Sequence, residues 1–435
     1  MKTIINQYSH QIILLLITIT VFLVSVSIYP FAIEMPRTGA WGNFVNERHL
    51  TLGERYIQFN VDITDWVTQV RDFPNHFRKD QLRVNRPSYI FLGAVSHKLL
   101  GVLTPEKFWS IEKRADLMGI YALLGLNLFL SILTIQLFYK WISKRFQKEI
   151  ALGSALLLAA SGFFIKYNAT ASPEVWGVFT SITIIYLLDT WFINSAHTWS
   201  WKRVFISGIL IGILMLGKAQ YTVLLACFIW AVMKKKWRVL YIGLIQFIPL
   251  ILWLIVLSIV KIPYYNHEIS AYRQVVWVFD DIGSGNWSHI YPFIAHLTGR
   301  VFSYMTGIFP WTILAVPMLI LPWIKISKNT KDLIQIIFIL FFSINLFLAA
   351  IQRVTHYLVF DIAICLFPLV AASIWILSEQ IAKHIRPDKK YIFAAIFGLF
   401  FVITVYIDWT FLTFQAGSEF LIWPPDYSSF TRFMN

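Results

Sequence analysis

The run DLMGIYALLGLNLFLSILTIQLFY (116–139) passes without interruption into KWISKRFQK (140–148), and the two halves belong to different solvents. Between Asp116 and Tyr139 no side chain is charged, and the run is long enough to cross the hydrocarbon core as an α-helix. Lys140, Lys144, Arg145 and Lys148 then crowd into one turn, as on the cytoplasmic side of a membrane helix. Further apolar runs of this kind recur along the 435 residues, of which 57% are hydrophobic and only 14% charged. A soluble chain would carry about 25% charged residues. Lipid requires every backbone group to be satisfied within the chain, and the runs are too long and too continuous for barrel strands. The reading is an all-α polytopic membrane protein. Positive cytoplasmic turns explain much of its net charge of +14, which therefore does not point to nucleic acid.

Charge parity orders the spans. The first, 12–30, follows a short N-terminus with Lys2 and reads as a retained helix, not a cleaved leader. A hydrophilic loop over 34–114 separates it from the remaining spans of 115–413. Spans are expected at about 150–165, 174–193 and 239–260, and then at about 301–324, 333–350, 358–378 and 391–413. Lys202-Arg203 and KKKWR (234–238) both read as cytoplasmic, so the chain between them must cross an even number of times. A break at Gly217-Lys218, giving two half-helices, meets that condition and places Lys218 near the outer face. About eleven spans result, with the N-terminus inside and the C-terminus outside. The outer face then holds the first loop, a second loop at 261–300 and a tail at 414–435. Cys227 and Cys365 both fall in apolar segments and suggest neither a disulfide nor a metal cluster.

The first loop carries nine of the 23 acidic residues and twelve of the 37 basic ones. Its centre, VDITDWVTQVRDF (61–73), brings Trp66, Val70 and Phe73 to helical spacing behind Asp62 and Asp65. This predicts a short amphipathic helix at the membrane surface, and acids in its first turn also suit the helix dipole. Pro87–Leu100, which includes SYIFLGAVSHKLL, is too short and polar to span and predicts a second interfacial helix.

In this order the motifs resemble the GT-C superfamily of polyprenyl-phosphate-sugar-dependent membrane glycosyltransferases, which includes protein O-mannosyltransferases and aminoarabinose transferases. Asp62…Trp66 is similar to the family's first-loop acid with an aromatic three or four positions on. RPSYIFLGAVSHKLLG (86–101) is similar to its juxtamembrane helix, and Arg114 to the arginine that opens its second span. GILIGILMLGK (208–218) and RVTHYLVFDIAICLFPLVAA (353–372) resemble two of its later segments. Asp62 stands some 30 residues past the first span and is followed by Ile63, where the family more often has a closely placed Asp-Glu pair.

The resemblance implies transfer of a hexosyl or pentosyl unit from a polyprenyl-phosphate donor to a lipid, glycan or protein acceptor, with inversion. Such transfer needs a base to take the acceptor proton and cations to hold the departing phosphate. Asp62 and Asp65 are alternative bases, with Glu174 as a supporting acid. Lys218, Arg353, His356 and Arg86 are candidate phosphate ligands. The residues require no cofactor and assign no metal site, and a divalent cation is left open. The resemblance also implies a bacterial plasma membrane. Asp280-Asp281 with His267, His289 and His296 fits no tight ligand spacing and reads as a turn. Asp361 is costly in lipid and points to function or pairing within the bundle, whereas Asp189 and Asp408 read as wetted span ends. A polysaccharide polymerase or ligase is the alternative enzyme. A transporter ranks lower, since no internal repeat stands out.

Overall fold

The long apolar run becomes the helix around which the others pack. The computed structural model describes residues 2–28, 49–52, 55–58, 61–75, 84–104, 114–144, 148–160, 173–194, 199–264 and 283–285, with positions 164, 168 and 171. These are mostly helical. One short antiparallel hairpin interrupts the first loop, where β1 (His49–Leu52) pairs with β2 (Arg55–Gln58) and His49 lies opposite Gln58. The helices are α1 (Lys2–Ile28), α2 (Val61–Arg71), α3 (Pro87–Leu103), α4 (Arg114–Ser143) and α5 (Lys148–Ala159). After them come α6 (Glu174–Leu187), running into a π-helical turn at Leu188–Ile193, then α7 (Trp201–Met215) and α8 (Tyr221–Met233). A 3₁₀ turn (Trp237–Val239) leads into α9 (Leu240–Ile245) and α10 (Ile248–Ile259).

Among the described residues, Met118–Ser143, Glu174–Ile193 and Trp237–Ile259 are long and apolar enough to cross a membrane. The spans expected beyond residue 300, most of the second outer loop, and with them Arg353, His356, Asp361 and Asp408, lie outside the described residues.

α4 packs against α1, α2, α3, α5 and α6. Its inner face is not purely apolar: Asn127, Ser131 and Thr134 are buried beside Leu123, Leu130 and Phe138. In lipid, apolar side chains give helices little reason to prefer each other over acyl chains, so buried polar groups that bond across the bundle fix the partners. Tyr89 on α3 reaches Asn127 Oδ1 at 3.4 Å, and Ser131 Oγ donates to Asn168 Oδ1 at 2.5 Å. Gln136 Nε2 on α4 donates to the Gln11 carbonyl on α1 at 2.9 Å.

The break at Gly217-Lys218 is present. α7 ends at Met215, residues 216–220 turn, and α8 runs back. The return is visible in side chains, since the rings of Trp201, at the start of α7, and Tyr241, just after α8, lie 5.2 Å apart. Gly208 and Gly212 permit this closeness. A Cβ on Gly208 would lie 2.5 Å from Ile245, and one on Gly212 would meet the Gln246 carbonyl oxygen and the ring of Pro249. Small residues one turn apart let helix backbones approach, here at the Gln246-Phe247 kink between α9 and α10.

Two expectations change. The apolar stripe of α2 does not lie free for the membrane surface: Trp66, Val67 and Val70 are buried, and α2 packs on α3 and α4. Asp189 is not a wetted span end. It is 2% exposed and accepts hydrogen bonds from Trp141 Nε1 at 2.8 Å and Asn194 Nδ2 at 2.5 Å. A lone acid near a helix end looks solvated in the sequence, because nothing there shows that an indole 48 positions earlier donates to it.

Candidate functional site

The N-termini of α3 and α6 meet the α7–α8 turn at one end of the bundle. A helix start carries unpaired N–H groups and a helix end unpaired carbonyls, and here each supplies the other's need. The Ser88 N–H on α3 points to the Leu216 carbonyl at 3.4 Å, and Trp176 Nε1 on α6 donates to the Leu214 carbonyl at 2.7 Å. Gly217 makes room for that indole; a Cβ there would run into the Trp176 ring.

Lys218 is 1% exposed, and its Nζ donates to Glu174 Oε1 at 2.9 Å. Glu174 opens α6, where a negative charge also suits the helix dipole. Its side chain is 19% exposed, although Oε1 is held by the lysine and Oε2 is buried. Gly177 leaves the lysine its space, since a Cβ there would sit 2.9 Å from Lys218 Cδ.

An aromatic column joins this pair to the first loop. Tyr89 stands edge-on to Trp176 at 6.0 Å on one side and to Trp66 of α2 at 5.6 Å on the other. The Arg86 guanidinium lies over the Trp66 ring, 5.5 Å from its centroid. Burial raises the Tyr89 phenol well above its ordinary pKa, and the nearby Glu174 charge raises it further. The tyrosine is therefore a neutral wall at any physiological pH.

Asp62 and Asp65 lie in the first turns of α2. By helical register Asp62 stands one turn before Trp66 on the same stripe, and Asp65 is turned about 100° from that stripe. Arg86 also lines a small cleft, shared with Asn85, Leu216, Ala219, Tyr221 and Gln246, so the cleft opens on both sides of the helix break. Trp253 Nε1 on α10 donates to the Val84 carbonyl at 2.8 Å and pins the segment that carries Asn85 and Arg86.

Of the residues singled out in the sequence, the structure thus brings Lys218 onto Glu174 and Arg86 onto Trp66. It places Asp62 and Asp65 on the same short helix as Trp66. Tyr89 and Trp176 carried no signal of their own beyond the R-P-x-Y pattern around Tyr89. Among the described residues, no three His, Cys, Asp or Glu side chains come together as metal ligands would.

No family model matches the chain, and no curated protein matches it. Its fold is similar to that of the Archaeoglobus fulgidus oligosaccharyltransferase in a crystal structure with Zn and sulfate. That match has a TM-score of 0.52 at 14% identity, over 96% of this chain and 56% of that one. A second crystal structure of that enzyme, tethered by a disulfide bond to an acceptor peptide containing the NVT sequon, matches with a TM-score of 0.50 at 13% identity. It covers 95% of this chain and again 56% of the other. At these identities the likeness is one of fold, and the chain spans little more than half the length of the enzyme it resembles.

Proposed function

We propose that the chain is a membrane glycosyltransferase that moves a sugar from a lipid-linked phosphate donor to an acceptor hydroxyl or amine at the outer water–membrane boundary. The observation that carries the reading is the convergence at one bundle end of Arg86, the Glu174–Lys218 pair and the acid-bearing helix α2. The fold likeness to an oligosaccharyltransferase supports it.

In this reading the donor's phosphate lies against Arg86 at the cleft, while its lipid tail stays in the bilayer. A guanidinium offers several donors to phosphate oxygens and keeps its charge at all relevant pH. Negative charge grows on the phosphate as the C1–O bond breaks, so a cation fixed there favours the transition state over the ground state. Arg353 and His356 would add cations from the later span. Asp62 takes the acceptor proton as the acceptor attacks C1 from the face opposite the phosphate, which inverts that carbon. Asp62 is favoured over Asp65 by register, because it shares the Trp66 stripe beside Arg86. Glu174 and Lys218 hold the helix break beneath.

The test uses purified chain in lipid with radiolabelled polyprenyl-phosphate sugars and a membrane extract as acceptor source. Asp62→Asn should lower transfer by about 100-fold or more, as loss of a general base does, with detergent-stable monodispersity unchanged. Full activity in both Asp62→Asn and Asp65→Asn would reject the carboxylate assignment. Loss in Asp65→Asn alone would move the role to that residue.

A further inference from the structure

The opposite end of the bundle has a separate chemistry. Two chain segments more than 30 residues apart meet there, at the start of α7 and at the turn between α8 and α9. They bring together Lys202, Arg203, Lys235, Lys236 and Arg238, all exposed. Arg238 stacks over Trp199 at 5.8 Å, Trp199 meets Trp201 at 5.9 Å, and Trp201 meets Tyr241 at 5.2 Å. Among the described residues none of these five cations pairs with a carboxylate. Of the acids at this end of the bundle, Asp189 is buried and occupied by Trp141 and Asn194, and Glu149 is exposed at the start of α5. Like charges gathered without internal acids repel one another, and the arrangement is stabilised by an anion from outside.

Two features say what kind of anion. The cations border an apolar surface: Trp201 is 59% exposed, Phe205 53% and Leu244 69%, and exposed Ile251 and Ile255 continue it along α10. A ligand matched to this surface has an anionic head and an apolar tail. The indoles of Trp201 and Trp237, the latter 58% exposed, suit the level of lipid headgroups. The second feature is Lys235, whose φ of +58° ends α8 in the left-handed region where glycine is the ordinary choice. Its N–H bonds the Val232 carbonyl at 2.9 Å, and the Lys236 N–H bonds that of Ala231 at 2.8 Å. The chain thus presents two consecutive lysines at a position where glycine would turn more easily.

We infer that this basic, aromatic end binds anionic phospholipid, with the phosphate head among Lys202, Arg203, Lys235, Lys236 and Arg238 and the acyl chains along α7 and α10. It is independent of the transfer site at the other end.

The test is native mass spectrometry of the full chain in detergent micelles with equimolar phosphatidylglycerol and phosphatidylcholine. The wild type should retain phosphatidylglycerol preferentially. Each cation removed should lower that preference by about fivefold, the value of one basic residue at an anionic surface. Lys235→Gly removes a charge while relaxing the backbone, so its loss of preference is not a folding defect. Adding Lys202→Gln, Arg203→Gln and Lys236→Gln should bring the two lipids to parity, whereas Lys98→Gln on α3 should change nothing. Equal retention by the wild type would overturn the inference, as would a preference that survives the four substitutions. Loss of the preference in millimolar inorganic phosphate would also overturn it, since the site would then hold any phosphate and not a lipid.

Discussion

Lys218 is a cation almost wholly withdrawn from water, and the side chains around it decide what removing its partner does. Gln220 and the Gly177 backbone leave no space for solvent beside its stem; a Cβ at Gly177 would lie 2.8 Å from Gln220 Nε2. Glu174 is different, being 19% exposed at the start of a helix. The two truncations should therefore be unequal. Glu174→Ala takes a carboxylate away from a buried ammonium and is expected to destabilise the chain by about 3 kcal/mol or more. Lys218→Met leaves a carboxylate that the start of α6 still stabilises through the helix dipole, so its loss should be smaller. Thermal unfolding in detergent should show a larger drop in Tm for Glu174→Ala, with the double variant lying closer to Lys218→Met than to Glu174→Ala. Equal drops would mean that the pair's burial is not what governs it. The sequence marked both residues as outer-face charges, but it held no sign that they answer each other across 44 positions.

At the level of the element, the α7–α8 break was legible and its fastening was not. Two basic clusters that both read as cytoplasmic require the stretch between them to reverse, and Gly217 marks where the reversal falls. What holds it is Trp176, which fills the place of a side chain at Gly217 and donates to the Leu214 carbonyl, the same oxygen that accepts the Gly217 and Lys218 N–H groups of the turn. Gly217→Ala should displace that indole and cost about 1–3 kcal/mol by overpacking. Gly125 on α4 is the control, because a Cβ there meets nothing within 4 Å. Gly125→Ala should be neutral or stabilise by up to about 1 kcal/mol through helix propensity. The two midpoints of unfolding, measured side by side, check both, and equal shifts would contradict the close approach. The hairpin His49–Gln58 escaped the sequence reading for another reason. HLTL and RYIQ are each only four residues long and lie among charges, so the alternation that betrays a strand has no length in which to show.

For the whole molecule, the sequence carries the bundle better than the site. Helices in lipid must close their own hydrogen bonds, so apolar length and basic turns locate α4 and the Trp237–Ile259 stretch. A site is made of contacts between helices, and the Trp66–Tyr89–Trp176 column draws on three helices that no local pattern connects. Topology is where the two levels meet. Since the rings of Trp201 and Tyr241 touch, the chain between them must leave one end of the bundle and return to it, with the cleft-lining Tyr221 at the far turn. In a background with Cys227→Ala and Cys365→Ala, single cysteines at Arg203 and Lys235 should react with a membrane-impermeant maleimide from the same side. A cysteine at Tyr221 should react from the other. Each of α7 and α8 is only about 20 Å long, shorter than a hydrocarbon core of about 30 Å. The Tyr221 label should therefore arrive through the polar cleft and be slowed when Arg86→Trp narrows it. Labelling of Arg203→Cys and Lys235→Cys from opposite sides would require a single continuous crossing, and with it the helix break, the Glu174–Lys218 pairing and the placement of the cleft would all fall together.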